Sequence, residues 1–462
     1  MIRGIGLRGA VAVNVITMIG IGPLITIPLV LTDLHGSLAL AGWVVGAAIA
    51  LCDGLVWAEL GSLYPGSGGT YVFLRETFGR NTLGRLLAFL FAWQIVLAAP
   101  LVLASGYIGF AHYAAYLWPA LAGDARLQGA VAALVGILTL FALYRPIGRI
   151  ASLGLALAAV ATATLGAVIV ATATHFDAAR ALSFDRTAPL GSALAAGLGP
   201  ALVITLYDYY GYGQSCTVSD EVRAPARTLP RSVVLSILIV GALYIALQLG
   251  VLGVVPWREL VAATPGGAPP DAASFVASLA VERTWGAWAA RIVTLAILVT
   301  AFASTFGNLL GYSRIPYAAA VDGVFFAPFA RLHPRSRFPH VALLTIGLLA
   351  LPPCFLTLGD VINALTTGLV IIQSLAQIAA LVALRARKVR APYRMALYPL
   401  PALAAAAGWI YIFCSAGTGA IAFGLLSLAA GVALYAWRAK LAAQWPFAAR
   451  GAAALALAFG AA

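Results

Sequence analysis

Charge is scarce in this chain. Only 9% of its 462 residues are Asp, Glu, Lys or Arg, against about 25% in a soluble globular protein. That shortage excludes an ordinary water-soluble enzyme and a disordered chain, because neither a polar surface nor self-repelling charge is available. Acidic residues are the scarcer half, 15 against 28 Lys+Arg, for a net charge of +13. Cysteine is sparse too. Cys52, Cys216, Cys354 and Cys414 all sit inside apolar stretches, which argues against a disulfide framework and for small buried hydrophobes. His35, His112, His175, His333 and His340 are scattered without metal-ligand spacing. No Gly-rich phosphate loop ending in Lys occurs, and no Ser–His–Asp grouping shares a face. The expectation is therefore no enzyme, no catalytic residues, no cofactor and no metal.

What the chain has is apolar sequence, 62% of it. Twelve apolar stretches run at about 9–32, 38–63, 85–117, 127–144, 150–173, 190–219, 231–255, 286–312, 339–358, 361–384, 397–416 and 419–437. Each approaches or exceeds the roughly 20 residues that a membrane-spanning helix needs. They lack the polar alternation of barrel strands, so the fold class is an all-α membrane protein with twelve transmembrane helices. The first stretch runs past signal-peptide length, so no cleavable leader is expected. With a cytoplasmic N-terminus, 22 of the 28 bases fall on the cytoplasmic side. The other 6 are Arg126, Arg180, Arg186, Arg258, Arg283 and Arg291. This asymmetry predicts cytoplasmic N- and C-termini and explains the positive charge without nucleic acid. Arg far in excess of Lys, with abundant Ala, suggests a bacterial source and hence the inner (plasma) membrane.

Two stretches carry features that break helices. The first reads Thr17-Met18-Ile19-Gly20-Ile21-Gly22-Pro23, and the sixth reads Leu206-Tyr207-Asp208-Tyr209-Tyr210-Gly211-Tyr212-Gly213. Glycine permits unwinding and proline withholds a donor. Close helix packing is the alternative use of such glycines. Interruptions at matching positions of two five-helix halves point to a secondary transporter with inverted repeats. The halves are 1–180 and 185–390; residues 391–440 add two helices, and 441–462 form a cytoplasmic or membrane-surface tail.

Four segments resemble the amino acid–polyamine–organocation (APC) superfamily, of the amino acid permease type. They are Ile19-Gly20-Ile21-Gly22, the run from Trp57 to Gly79 (WAELGSLYPGSGGTYVFLRETFG), the run from Asp220 to Val234 (DEVRAPARTLPRSVV), and the run from Tyr312 to His340. The resemblance implies a leucine-transporter-like 5+5 inverted repeat with discontinuous helices 1 and 6. It also implies alternating access and a substrate that carries an ammonium and often a carboxylate. In eukaryotic relatives that exchange amino acids, an outer-loop Cys links the transporter to a single-span heavy-chain partner; the loop from Trp118 to Arg126 has no Cys, so no such disulfide-linked partner is expected.

At a helix break, unpaired N–H groups face carbonyls, a pair of opposite poles suited to a zwitterion. A substrate carboxylate is expected near Gly20, Ile21 and Gly22. Its ammonium is expected near Thr17, Met18 and Ile19 and near Leu206, Tyr207, Asp208 and Gly211. Three residues depart from the family pattern. Pro23 removes a donor, no Lys follows Arg149, and Asp208 adds an unusual carboxylate. An ionised carboxylate at the bilayer centre costs at least ~2.5 kcal/mol, so Asp208 is read either as a partner for a substrate ammonium or as the carrier of a coupling proton. A hydrogen bond from a neighbouring Tyr is the structural alternative. Ser304 and Thr305 offer oxygens for sodium coupling, ranked behind a proton, and back-bonding within their helix is their ordinary use. Glu59 is read as a partner for a loop Arg. Gln94 and Asn308 are read as interhelical hydrogen bonds. For Asp53, function and a hydrogen-bonded role stay level. Tyr207, Tyr209, Tyr210 and Tyr212 are candidates for a cation-binding cage. The function these readings support is secondary active transport of amino acids or related amines, by proton symport or exchange. A polyamine or organic-cation transporter of the same fold and a non-transporting sensor are the alternatives.

Overall fold

The computed structural model describes residues 5–65, 68–144, 150–184, 189–217, 219, 222–262, 270–334 and 338–441; at 150–158, 271, 440 and 441 it describes the backbone alone. The readings of Arg3, Gly66, Ser67, Arg145, Arg149, Arg186, Asp220, Arg335, Arg337 and the tail from 442 therefore lie outside the described residues.

The described residues form a helical bundle, as the continuous apolar runs require: backbone groups in lipid must be satisfied within their own segment. The first apolar stretch is two helices, α1 (Leu7–Met18) and α2 (Gly22–Asp33), bent by 53°. Then come α3 (Ala39–Leu63), the short α4 (Thr70–Phe78), α5 (Leu83–Leu117), α6 (Ala125–Leu143) and α7 (Ile150–Ala173). The sixth stretch is α8 (Leu190–Tyr209) followed by one short turn of helix, α9 (Gln214–Thr217). Next are α10 (Pro225–Val254), α11 (Val276–Trp285), α12 (Ala287–Tyr312), α13 (Arg314–Val321) and α14 (His340–Leu349). The described residues end with α15 (Leu358–Leu369), a π-helical turn (Val370–Leu375), α16 (Ala376–Ala386), α17 (Leu400–Ser415) and α18 (Thr418–Leu441). Among the described residues eight helices are long and apolar enough to cross a membrane, and the bent α1–α2 pair makes a ninth. The ninth apolar stretch of the sequence is shorter than its hydropathy suggests. Its helix stops at Leu349, ahead of Pro352 and Pro353, which cannot continue it. Large side chains such as Phe141, Trp288 and Leu426 stay exposed on the outside of the bundle, where lipid is their solvent.

Among the described residues, loops meet in two groups. In one, Ile5 forms an isolated bridge with Val222, and Arg223 N–H donates to Ile5 O at 2.8 Å. The same group holds the Arg75–Asp322 ion pair, Arg387 on Thr77 O (2.7 Å) and Arg438 on Gly323 O (2.7 Å). In the other, Ser37 N–H donates to Ser183 O (2.8 Å), Arg180 to Val254 O (2.8 Å), and Arg283 pairs with Glu259. These are the two groups of loops that the charge asymmetry separates.

Candidate functional site

The break between α1 and α2 follows from its residues. Ile19 leaves helical geometry at ψ 86°. Gly20 N–H turns back onto Met18 O at 3.0 Å. Helix α2 restarts at Gly22 with Pro23 in its first turn, where a missing N–H costs nothing. Pro28 then withholds the bond that Leu24 O would receive, and the Tyr113 hydroxyl of α5 donates to that carbonyl at 2.7 Å.

The second break lies further along than the sequence reading placed it. Helix α8 runs on through Leu206, Tyr207 and Asp208 to Tyr209, and Tyr210 N–H closes onto Tyr207 O at 3.2 Å. The chain then unwinds at Gly211, whose φ of +122° excludes ordinary L-residues. Leu206 is therefore inside a helix, with its side chain packed toward Gly46 of α3.

The two breaks touch. A Cβ on Gly211 would stand 3.0 Å from Thr17 Cγ2 and 3.1 Å from Met18 N. Asn14, fully buried in α1, accepts from Ser215 N–H of α9 at 2.7 Å and donates to Ser236 of α10 at 3.3 Å. The Tyr244 hydroxyl of α10 reaches both Met18 O (2.7 Å) and Asp208 O (3.1 Å). Asn14 and Tyr244 escaped the sequence reading. Neither sits near a break in sequence, and a lone Asn or Tyr in an apolar stretch carries no spacing signal.

Asp208 sits where the breaks meet. Its Oδ2 accepts from Thr26 of α2 at 2.6 Å. Its Oδ1 is buried without a hydrogen-bond partner and lies against Gly22, where any Cβ would collide with it. The carboxylate thus stands at the start of α2, beside the unpaired N–H groups and partial positive charge of a helix N-terminus. That is the pole where the sequence reading expected a substrate carboxylate. The alternative reading of Asp208 had a neighbouring Tyr as hydrogen-bond donor; the donor in the structure is Thr26.

One cavity of about 130 Å³ opens at the breaks. Thr17, Met18, Gly20, Ile21, Gly22, Tyr207, Asp208, Gly211 and Ser304 line it. Ile19 and Leu206 do not, both being buried in the packing core. Thr305 turns away: its hydroxyl donates to Ala301 O and Phe302 O of its own helix at 3.1 and 3.0 Å. Met18 O is already occupied, accepting from Gly20 N–H and from Tyr244. Among the described residues Asn308 makes no hydrogen bond to another helix. It lines the cavity and reaches Ser304 one turn away at 3.5 Å. Gln94 is buried with both amide atoms unpartnered among the described residues. Of the four tyrosines, Tyr207, Tyr210 and Tyr212 line the cavity, while Tyr209 points to Trp43 O (3.1 Å). Asp53 also lines it, holding the Tyr212 hydroxyl at 2.6 Å.

The cavity extends past Trp57 to Gly68, Thr70 and Thr217. Below it lies a bracing layer. Glu59 accepts from Arg385 Nη2 (2.7 Å), which stands in the last turn of α16 and not in a loop as expected, and from Met395 N–H (2.8 Å) of the loop that follows. Thr70 donates to Gln377 of α16 at 2.5 Å. Tyr71 of α4 donates to Asp322 at 3.0 Å; burial, then that carboxylate, holds its phenol above the usual range.

The chain is similar to known proteins over most of its length. A family model described as amino acid permease matches residues 5–423. An uncharacterized transporter of Mycobacterium tuberculosis is 30% identical over 347 residues, 75% of this chain and 72% of that protein. The serine/threonine exchanger SteT of Bacillus subtilis is 25% identical over 434 residues, 89% of this chain and 91% of its own. Cationic amino acid transporter 4 of Mus musculus is 27% identical over 369 residues, 76% of this chain and 55% of its own.

Proposed function

Because the chain belongs to the amino acid permease family, we propose that it is a secondary active transporter of amino acids or related amines, working by alternating access. The observation that carries this reading is the contact between the two helix breaks around one cavity, with the Asp208 carboxylate at their junction. In this reading Asp208 Oδ1 receives the substrate ammonium, and Ser304 and Asn308 supply further oxygens.

The architecture we propose has twelve spans. The bent pair and eight long helices are joined by three shorter apolar ones, at Ala159–Ala173, His340–Phe355 and Leu400–Ser415. Residues 1–180 and 185–390 form two inverted five-helix repeats, and 391–440 form two added helices. The bracing face, rich in Arg, is cytoplasmic, and so are both termini, in a bacterial inner membrane. Alternating access then has a physical form. The α1–α2 break, Gly211 and the Asn14 link let half-helices tilt, while Glu59–Arg385 and Arg75–Asp322 hold the inner side.

Coupling follows from the same carboxylate. Asp208 holds either a proton or the substrate ammonium: where the two compete for it, amine-for-amine or amine-for-proton exchange results, and proton symport requires Asp208 to keep the proton while the ammonium rests on the carbonyls at the breaks. Ser304 is the one of the two hydroxyl candidates that faces the cavity, and Thr305 is spent on its own helix, so a proton is favoured over sodium.

Uptake of radiolabelled amino acids and amines by proteoliposomes tests this reading, with and without an imposed pH gradient. Saturable uptake of at least one amine-bearing solute is expected. Binding without any uptake or exchange would favour the sensor reading, and no binding of any amine would defeat the proposal.

A further inference from the structure

The cavity holds a second carboxylate that the transport reading does not use. Asp53 lies in the middle of α3 and is 1% exposed, while Asp208 is 3% exposed. The two share one pattern. Each has one oxygen held by a hydroxyl at 2.6 Å, Tyr212 on Asp53 and Thr26 on Asp208. Each has the other oxygen, Oδ1, buried with no hydrogen-bond partner. Both line the same cavity, and no Lys, Arg or His lines it with them among the described residues. A lone ionised carboxylate at membrane depth is costly and marks a bound cation or a proton site; here there are two.

Their placement separates them. Asp208 precedes the Gly211 break and faces α2, whereas Asp53 is tied to Tyr212, just after that break. The wall on the Asp53 side carries the rings of Trp57, Tyr210 and Tyr212. Aromatic faces attract cations. A cavity lined by aromatic rings and by two carboxylates, each with one buried, unpartnered oxygen, matches a solute with an alkyl middle and a positive charge at each end.

We propose that Asp53 forms a second cation subsite, so that the cavity takes a substrate with two ammonium groups, one on Asp208 and one on Asp53. The proposal rests on the transport reading above and adds the class of substrate. Two sources supply this chemistry, a basic amino acid and a diamine. They differ in the carboxylate, which would have to share the start of α2 with Asp208.

A matched set of ligands tests it on the purified full chain, by thermal shift and by competition for uptake. Lysine and norleucine carry a carboxylate, and 1,5-diaminopentane and pentylamine do not. The first of each pair has the second ammonium. That group is expected to tighten binding about tenfold or more in at least one pair, the range of a charge-assisted hydrogen bond. The pair showing the larger gain identifies the source. In Asp53→Asn the gain is expected to shrink toward one. If that variant does not fold, the wild-type ratio alone decides. Equal binding within both pairs, or an undiminished gain in folded Asp53→Asn, would overturn the second subsite and leave the transport reading standing. Failure of all four ligands and of every other amine would instead strike the transport reading.

Discussion

The hydroxyl of Tyr244 donates to Met18 O at 2.7 Å and also lies 3.1 Å from Asp208 O, so one side chain of α10 ties together the ends of both broken helices. Met18 is the last residue of α1, and Asp208 is one residue short of the end of α8. A carbonyl at a broken helix end inside a membrane needs a donor, and the single Tyr244 proton is shared between these two, with the shorter contact to Met18 O. Substituting Tyr244→Phe should lower stability by about 1 kcal/mol, because hydrogen bonds at membrane depth average ~0.6 and reach ~2 kcal/mol. Uptake should fall more than substrate affinity, because the tie joins pieces that must move together. Thermal unfolding in detergent and proteoliposome uptake measure the two effects.

Glycine at the breaks is a matter of space and backbone, so alanine suffices to test it. Gly22→Ala drives a methyl into Asp208 Oδ1, and Gly211→Ala adds strain at φ +122°. Both should abolish uptake. Gly307→Ala, where a Cβ meets nothing within 4 Å, should leave uptake near wild type. Normal transport by Gly22→Ala and Gly211→Ala would make these packing residues and move the site elsewhere.

Glu59 and Arg385 form a pair with side chains only 3% and 11% exposed. Removing one partner strands the other, which costs about 3–5 kcal/mol in buried pairs. Arg385→Met should therefore destabilise strongly. Glu59→Gln combined with Arg385→Met should recover part of the loss, giving a favourable coupling energy in a double-mutant cycle. Additive losses would show the contact to be incidental.

Sidedness is testable residue by residue. In a variant lacking Cys414, the exposed native thiol, single cysteines at Arg80, Arg227 and Arg331 should resist impermeant reagents in right-side-out vesicles. Cysteines at Arg258 and Arg283 should react. Labelling at any of the first three would displace that loop from the cytoplasmic face.

The bundle was legible because lipid leaves so few solutions. Long apolar runs must be helices, and 22 bases against 6 order the loops. The α1–α2 break was legible from Gly20, Gly22 and Pro23, whose chemistry is local. The second break was read three residues early. Tyr207 through Tyr209 carry no helix breaker, and the helix ends where Tyr210 turns to ψ 133° ahead of the positive φ at Gly211. What the sequence concealed is long-range: Asn14 to Ser215, Tyr113 to Leu24 and Thr26 to Asp208 join residues 201, 89 and 182 positions apart. Hydroxyl direction was hidden for the same reason. Ser304 and Thr305 are neighbours, yet a helix turns them about 100° apart, and only Ser304 faces the cavity.

The account turns on the Asp208 carboxylate, and its most direct test is Asp208→Asn, which keeps the shape and removes the charge. Affinity for the ammonium-bearing substrate, measured by competition across a range of pH, should fall about tenfold or more. Accumulation driven by a pH gradient should disappear as well. Unchanged affinity together with an unchanged pH dependence would contradict the account, leaving Asp208 as no more than an acceptor for Thr26.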